Sequence, residues 1–190
     1  MPEALTVSRP PLPAGAYVLD PAHTRVGFLA RHLVVTKVRG AFDKVEARIR
    51  VGETVQDSSV EVTVDVASLT TRDEKRDAHL RSADFFDTEH HPEMTFRSTR
   101  IEPSGEGRYA LTGDLTIRGV SRPITLDTEF LGTQATPWGT QAAVISATAE
   151  IDREDWGLTW NVALESGGVL VSKKIQLEID AEILPSPAAS

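Results

Sequence analysis

Cysteine is absent from the sequence. That excludes disulfide scaffolding, thiol catalysis and thiolate metal sites. Positive charge is in short supply: 20 Lys and Arg against 28 Asp and Glu leave a formal net charge of −8. Such a surface repels phosphate backbones and anionic headgroups, so neither nucleic acid nor electrostatic membrane binding is expected. The longest basic stretch, Arg72 to Arg81, is interleaved with Asp73, Glu74 and Asp77. No apolar run reaches membrane-spanning length, and no integral membrane segment is expected. A G-x-S-x-G nucleophile elbow, a phosphate-cradling glycine loop and an H-E-x-x-H pair are also missing. The pair Gly167–Gly168 reads only as a turn.

The N-terminus, MPEALTVSRPPLPAG, has neither a basic start nor an apolar h-region. It does not read as a secretion signal, so the cytoplasm is the expected location. Residues 1–15, with Pro10, Pro11 and Pro13, are expected to form a flexible leader, and residues 185–190 a flexible tail. Between them lies one domain, residues 16–184. With 40% hydrophobic and 25% charged residues over 190 positions, the chain can bury a sizeable core.

What is present is alternation of period two, the mark of half-buried strands. In SVEVTVDVA, Val60, Val62, Val64 and Val66 share a face against Glu61, Thr63 and Asp65. In KKIQLEIDAEIL, Ile175, Leu177, Ile179, Ala181 and Ile183 oppose Gln176, Glu178, Asp180 and Glu182. The pattern recurs from Val26, from Val45, from Met94, from Tyr109, from Ile124 and from Ala143, giving about eight strands. Turns are expected at Arg39–Gly40, Pro103–Gly107, Arg118–Ser121 and Gly132–Gly139. Short linkers favour antiparallel neighbours. One insertion, residues 72–91, has helical composition and then a turn, and is stopped by Pro92. The fold class expected is all-β: an eight-stranded antiparallel barrel with a short helical insertion, closed because closure removes exposed edges.

A barrel of eight strands is wide enough to be filled by side chains or to enclose one small ligand. The inward stripes carry small residues, Ala30, Ala47, Gly113, Ala143, Ala147 and Ala149, and very little charge. That composition fits a hydrophobic tunnel, although alanines facing large neighbours in a filled core remain the alternative. His32 lies on the stripe of Val26 and Phe28, as a core residue or as a polar contact for a ligand. Phe85 and Phe86 are placed to plug one barrel end; Trp138 reads as a rim residue. The other histidines, His23, His79, His90 and His91, have no metal-ligand spacing. Asp84, Asp87 and the run Asp152, Glu154, Asp155 read as caps and polar turns.

At these residues the sequence resembles the YceI-like, polyisoprenoid-binding family. The stretch RDAHLRSADFFDTEHHPEMTFRS carries the match through Arg76, His79, Leu80, Arg81, Ser82, Asp84, Phe85, Phe86, Asp87, Pro92, Phe96 and Ser98. Support comes from Asp20, His23 and Thr24, from His32, from Gly40–Ala41–Phe42, from Leu115–Thr116–Ile117 with Gly119–Val120, and from Arg153, Asp155 and Gly157. The resemblance covers about residues 17–184. It implies a lipocalin-like barrel holding a long isoprenoid chain, and a homodimer. Trp156 stands where the family usually has Phe, which suggests a change in pocket depth.

Alternation and resemblance together give the expected ligand lining: Phe28, Ala30, His32, Val45, Val62, Val64, Phe85, Phe86, Met94, Phe96, Leu111, Leu115, Phe130, Ile145, Ala147, Trp156 and Trp160. The expected ligand is a polyprenyl chain or an isoprenoid quinone. No catalytic residue, metal or cofactor is assigned. Two rivals stand beside this reading: an enzyme with His32 or His79 as general base, and a metal-binding, stress-protective module using His79, His90 and His91.

Overall fold

The computed structural model describes residues 8–187. The first half of the expected leader and the last three residues of the expected tail lie outside them. Eleven strand segments form one sheet: β1 (Gly15–Leu19), β2 (Arg25–His32), β3 (Thr36–Phe42), β4 (Val45–Val51), β5 (Ser59–Asp65), β6 (Leu69–Thr70), β7 (Glu93–Gly105), β8 (Arg108–Ile117), β9 (Val120–Ala135), β10 (Gln141–Asp152) and β11 (Lys174–Pro185). One helix, α1 (Glu74–Arg81), interrupts the series.

The segments resolve into eight antiparallel staves. β1 and β2 are two halves of one bent stave, and β3 and β4 of the next: β2 pairs with β3 while β1 pairs with β4. β5 and β6 form the third. β1 and β2 both lie against β11, and that seam closes the barrel. The bends have a local cause. Asp20 and Asp65 each accept a hydrogen bond from the backbone N–H two residues on, at 2.9 and 3.0 Å, which forms a short 3-10 turn inside the stave. Aspartate favours such Asx turns because its side chain mimics a backbone acceptor.

Register carries one face inward around the whole ring. Ala47 sits opposite Val62, Val62 opposite Phe96, Phe96 opposite Leu115, and Leu111 opposite Leu126. Ala147 faces Thr128 and Ile179, and Leu177 faces Phe28. The antiparallel barrel and the expected face assignments are thus present. The turn expected at Arg39–Gly40 is not: both residues lie inside β3, and the hairpin tip is at Leu33–Val35. Gly40 is tolerated mid-strand because the Phe28 ring covers it, leaving no room for a Cβ.

The two ends are built differently. At one, Tyr17, Val51, Ala143 and Ile183 form a buried cluster with Leu12, Ile49 and Phe130 against it. Residues 8–14 cross that end: the Tyr17 hydroxyl donates to the Pro13 carbonyl at 2.9 Å, and Val55 N–H donates to the Ser8 carbonyl at 3.0 Å. At the other end α1 and the segment after it lie over the mouth, together with the 3-10 turn Arg153–Trp156 and the chain that follows.

Candidate functional site

Between these ends lies a cavity of about 300 Å³. It follows the barrel from Leu19, Ile49 and Ile183 to Leu80, Phe85, Phe86 and Leu158. From Ile145 to Ile151 along β10 it spans roughly 20 Å of strand at about 3.3 Å per residue. The lining is apolar except for Thr24, Thr95, Thr128 and Arg153. A second depression, about 720 Å³, is an open groove across the outer face, lined by Ser104, Arg108, Asp127 and Glu150 among others. It is larger but solvent-filled and has no convergent groups, so the interior cavity is the better ligand site.

Two features show that the interior space is built into the sequence. Inward residues Val45, Ala47, Ile49, Val60 and Val62 are only half-buried, although they point away from bulk solvent, because they border empty volume. Glycine also lets aromatic rings lie against the wall instead of across the lumen. A Cβ on Gly113 would stand 2.5 Å from both the Phe96 ring and the Arg97 carbonyl.

The helical insertion divides its side chains between clamping and lining. Asp77, 6% exposed, accepts from Thr71 N–H at 2.8 Å and from the Thr71 hydroxyl at 2.6 Å. Arg76 donates to the Thr71 hydroxyl and carbonyl at 2.7 and 2.9 Å, and Arg81 to the carbonyls of Ala67 and Leu69 at 2.9 and 2.7 Å. These bonds fasten α1 to the β5–β6 stave. Arg118 donates to the Phe85 carbonyl at 3.0 Å and holds the next loop. Leu80, Phe85 and Phe86 then face the cavity. Asp73 caps α1 by accepting from Arg76 N–H at 3.0 Å, and the local amides and nearby cations hold its carboxyl below the usual range.

Arg153 is the one charged group in the lining, and it is 4% exposed. Its Nε donates to the Ser172 carbonyl at 2.9 Å, one terminal nitrogen to the Leu158 carbonyl, and the other to Val171 at 3.5 Å. Burial lowers its pKa, but a guanidinium stays charged at any ordinary pH.

Thirteen of the seventeen expected lining residues border the cavity: Phe28, Ala30, Val45, Val62, Val64, Phe85, Phe86, Met94, Phe96, Leu111, Leu115, Ile145 and Ala147. Four do not. His32 lies at the end of β2, bridged to Val171, and is outside the cavity lining. Phe130 packs into the closed end with Tyr17 and Ala143. Trp156 is buried in the wall, its indole N–H donating to the Leu115 carbonyl at 2.9 Å. Trp160 stacks edge-on against His79, with ring centroids 4.6 Å apart, on the lid.

Sequence reading passed over Arg153 as a lining residue, along with Phe42, Ile124, Ile175 and others on the inward stripes. Stripe membership was the available signal for the aliphatic ones. For Arg153 there was only its place in the quoted motif.

The histidines do not assemble. His79 Nε2 is 2.8 Å from Asp84, and His90 Nδ1 is 2.9 Å from Asp87, whose carboxylate raises the imidazole pKa. Among the described residues, the one trio within metal-ligand reach is Asp20, His23 and Glu182, at the seam between β1 and β11. There His23 Nδ1 lies 2.9 Å from Asp20 and 3.7 Å from Glu182. The backbones of the same two residues pin the bent stave, Asp20 N–H donating to the Glu182 carbonyl at 2.8 Å, and the Asp20 carboxylate also accepts from Ala22 N–H at 2.9 Å.

Comparison with known proteins agrees with this architecture. The family model of the YceI-like domain matches residues 17–183. A UPF0312 protein of Staphylococcus aureus strain MSSA476 is 36% identical over 169 residues, covering 87% of this chain and 95% of its own. Among solved structures, the Campylobacter jejuni YCEI protein superposes with a TM-score of 0.71 at 33% identity, covering 89% of this chain and 97% of that one. Burkholderia cenocepacia BcnA gives 0.74 at 23% identity over 86% and 98% of the two chains. A domain from Saccharophagus degradans described as polyisoprenoid binding gives 0.67 at 14% identity over 92% and 100%. These last two show the fold alone. By its sequence and by its barrel, the chain belongs to the YceI-like domain family.

Proposed function

We propose that the protein binds and carries an isoprenoid lipid, a polyprenyl chain or the tail of an isoprenoid quinone, inside the barrel. The carrying observation is the enclosed cavity of about 300 Å³ with one charged side chain in its lining. No step of bond making or breaking is part of the reading. The name given to the Saccharophagus degradans domain supports the ligand class. The thirteen bordering residues expected from alternation and resemblance are the contacts this reading assigns to the tail.

Magnitudes bound the ligand. At roughly 30 Å³ per water-sized group, the volume admits about ten methylene-sized units before any side chain moves. Each is worth about 0.8 kcal/mol on burial, so about 8 kcal/mol gross is available against association costs of about 4 to 15 kcal/mol. A ten-carbon ligand therefore binds weakly. Tight binding requires a longer tail, which enters only if inward side chains swing aside. Met94, with its flexible thioether, and Phe86 on the lid segment are placed to do so. A homodimer, resting on the family resemblance, completes the reading.

Native mass spectrometry of freshly purified protein, followed by organic extraction, tests the proposal. A co-purified isoprenoid is the expected result. Protein that carries no lipid, and takes up neither a polyprenol nor a short-chain ubiquinone on incubation, refutes it.

A further inference from the structure

One feature of the tunnel is out of keeping with a purely oily ligand. A guanidinium has five N–H donors, and the protein offers Arg153 three carbonyls, the last of them at 3.5 Å. No carboxylate forms an ion pair with it, although Glu154 and Asp152 lie near enough to favour its charge. Asp152 accepts from Glu154 N–H at 3.0 Å, and Glu154 is paired with Lys173 at 2.9 Å. On the cavity side the Phe85 ring lies 5.9 Å from the guanidinium carbon, which gives a weak cation–π contact and no counter-charge. A charge with no carboxylate in contact is costly beside an apolar lumen. Three backbone carbonyls could be satisfied by neutral donors, so fastening the 158–172 segment does not by itself require a cation there.

The position also has a direction. Arg153 borders the lid end of the cavity, next to Leu158 and Phe85. The opposite end is closed by Tyr17, Val51, Ala143 and Ile183. A chain-like ligand with one polar terminus has a single favourable orientation in such a tunnel.

We propose that Arg153 is the headgroup site of this tunnel: the ligand is an amphiphile whose terminal oxyanion, a phosphate or a carboxylate, accepts hydrogen bonds from the guanidinium, with its tail directed toward Tyr17. The inference rests on the carrier reading and narrows it, because a buried cation with no carboxylate in contact favours an anionic oxygen over the carbonyl of a quinone. The net charge of −8 works against any general attraction for anions, so such a preference must arise locally.

The test compares geranyl phosphate, geranic acid and geraniol, which share one ten-carbon tail, by displacement of a fluorescent probe from wild-type protein, R153M and R153K. The wild type is expected to bind at least one anion tenfold or more tighter than the alcohol, and the ranking of the two anions distinguishes phosphate from carboxylate. R153M is expected to bring that ratio to within threefold of one, whatever change is common to all three probes. Equal affinity of the wild type for all three probes overturns the headgroup site and leaves the carrier reading standing. Failure of the wild type to bind any of them, or the same three headgroups on a longer polyprenyl tail, overturns both. An arginine that serves structure alone weakens all three probes in R153M by the same factor, and that result also overturns the proposal. If R153M does not fold, R153K decides: its ammonium cannot serve carbonyls and oxyanion with one planar fork, so the ratio must fall at least threefold, and an unchanged ratio refutes the site.

Discussion

Filling the tunnel from within should raise stability and abolish binding in the same molecule. Ala47 on β4 and Ala147 on β10 both border the cavity, on staves well separated around the ring. The double substitution A47L/A147L adds six carbons, roughly 180 Å³ at about 30 Å³ each, against a cavity of about 300 Å³. Filling dry volume gains at most about 24 cal/mol per Å³, an upper limit near 4 kcal/mol, less about 1 to 3 kcal/mol if rotamers are forced. The urea midpoint is therefore expected to hold or rise. The ligand loses about six of its roughly ten methylene positions, about 5 kcal/mol gross at 0.8 kcal/mol each. Even if the tail slides toward the lid, probe affinity should fall at least a hundredfold. Urea unfolding monitored by tryptophan fluorescence reads the first quantity, and probe titration reads the second. Destabilisation beyond about 3 kcal/mol would mean that the space is not there. Binding within threefold of wild type would mean that the ligand sits elsewhere.

Other perturbations follow the same logic. Gly113→Ala places a Cβ 2.5 Å from a backbone carbonyl as well as from the Phe96 ring, so about 1 to 3 kcal/mol of destabilisation is expected by urea unfolding. Gly40→Ala meets only the Phe28 ring and should cost less stability while altering probe affinity, because that ring must turn into the lumen. Asp77→Ala strands the Thr71 N–H and hydroxyl, with an expected loss of about 1 to 3 kcal/mol. Hydrogen exchange should locate that loss in α1 and the β6 stave. At the seam, Asp20 and Glu182 raise the His23 pKa, while His23 and the local amides lower that of Asp20. The imidazolium contribution is full below the unfolded histidine pKa and lost as pH rises through the folded value. The carboxylate contribution is lost as pH falls through its own depressed value. Wild type minus H23Q should therefore show a small stability difference on the acid side of neutrality that vanishes at alkaline pH, as read by Tm.

Much of this architecture is local information. Valine or isoleucine at every second position can only present one apolar face in an extended chain, so the inward stripes of β4, β5, β8, β10 and β11 were readable directly, and with them seven of the thirteen expected residues that border the cavity. The helical insertion was readable from its composition, but α1 ends at Arg81 with Ser82 as its cap, well before Pro92. Where alternation lapses the sequence misleads: Arg39–Gly40 looks like a turn because the residue that makes glycine acceptable there, Phe28, belongs to the neighbouring strand.

Three things were decided only in three dimensions. Closure of the ring depends on β1 and β2 sharing the edge of β11, a pairing between residues more than a hundred positions apart. The fate of each aromatic depends on the wall it meets: Trp156 is held inside the wall by a carbonyl of β8, whereas Phe85 borders the lumen. The environment of Arg153 depends on the chain folding back so that Leu158, Val171 and Ser172 surround it. Periodicity specifies which side of a strand is apolar. Whether the space on that side is filled, empty or charged depends on what the other staves bring to it.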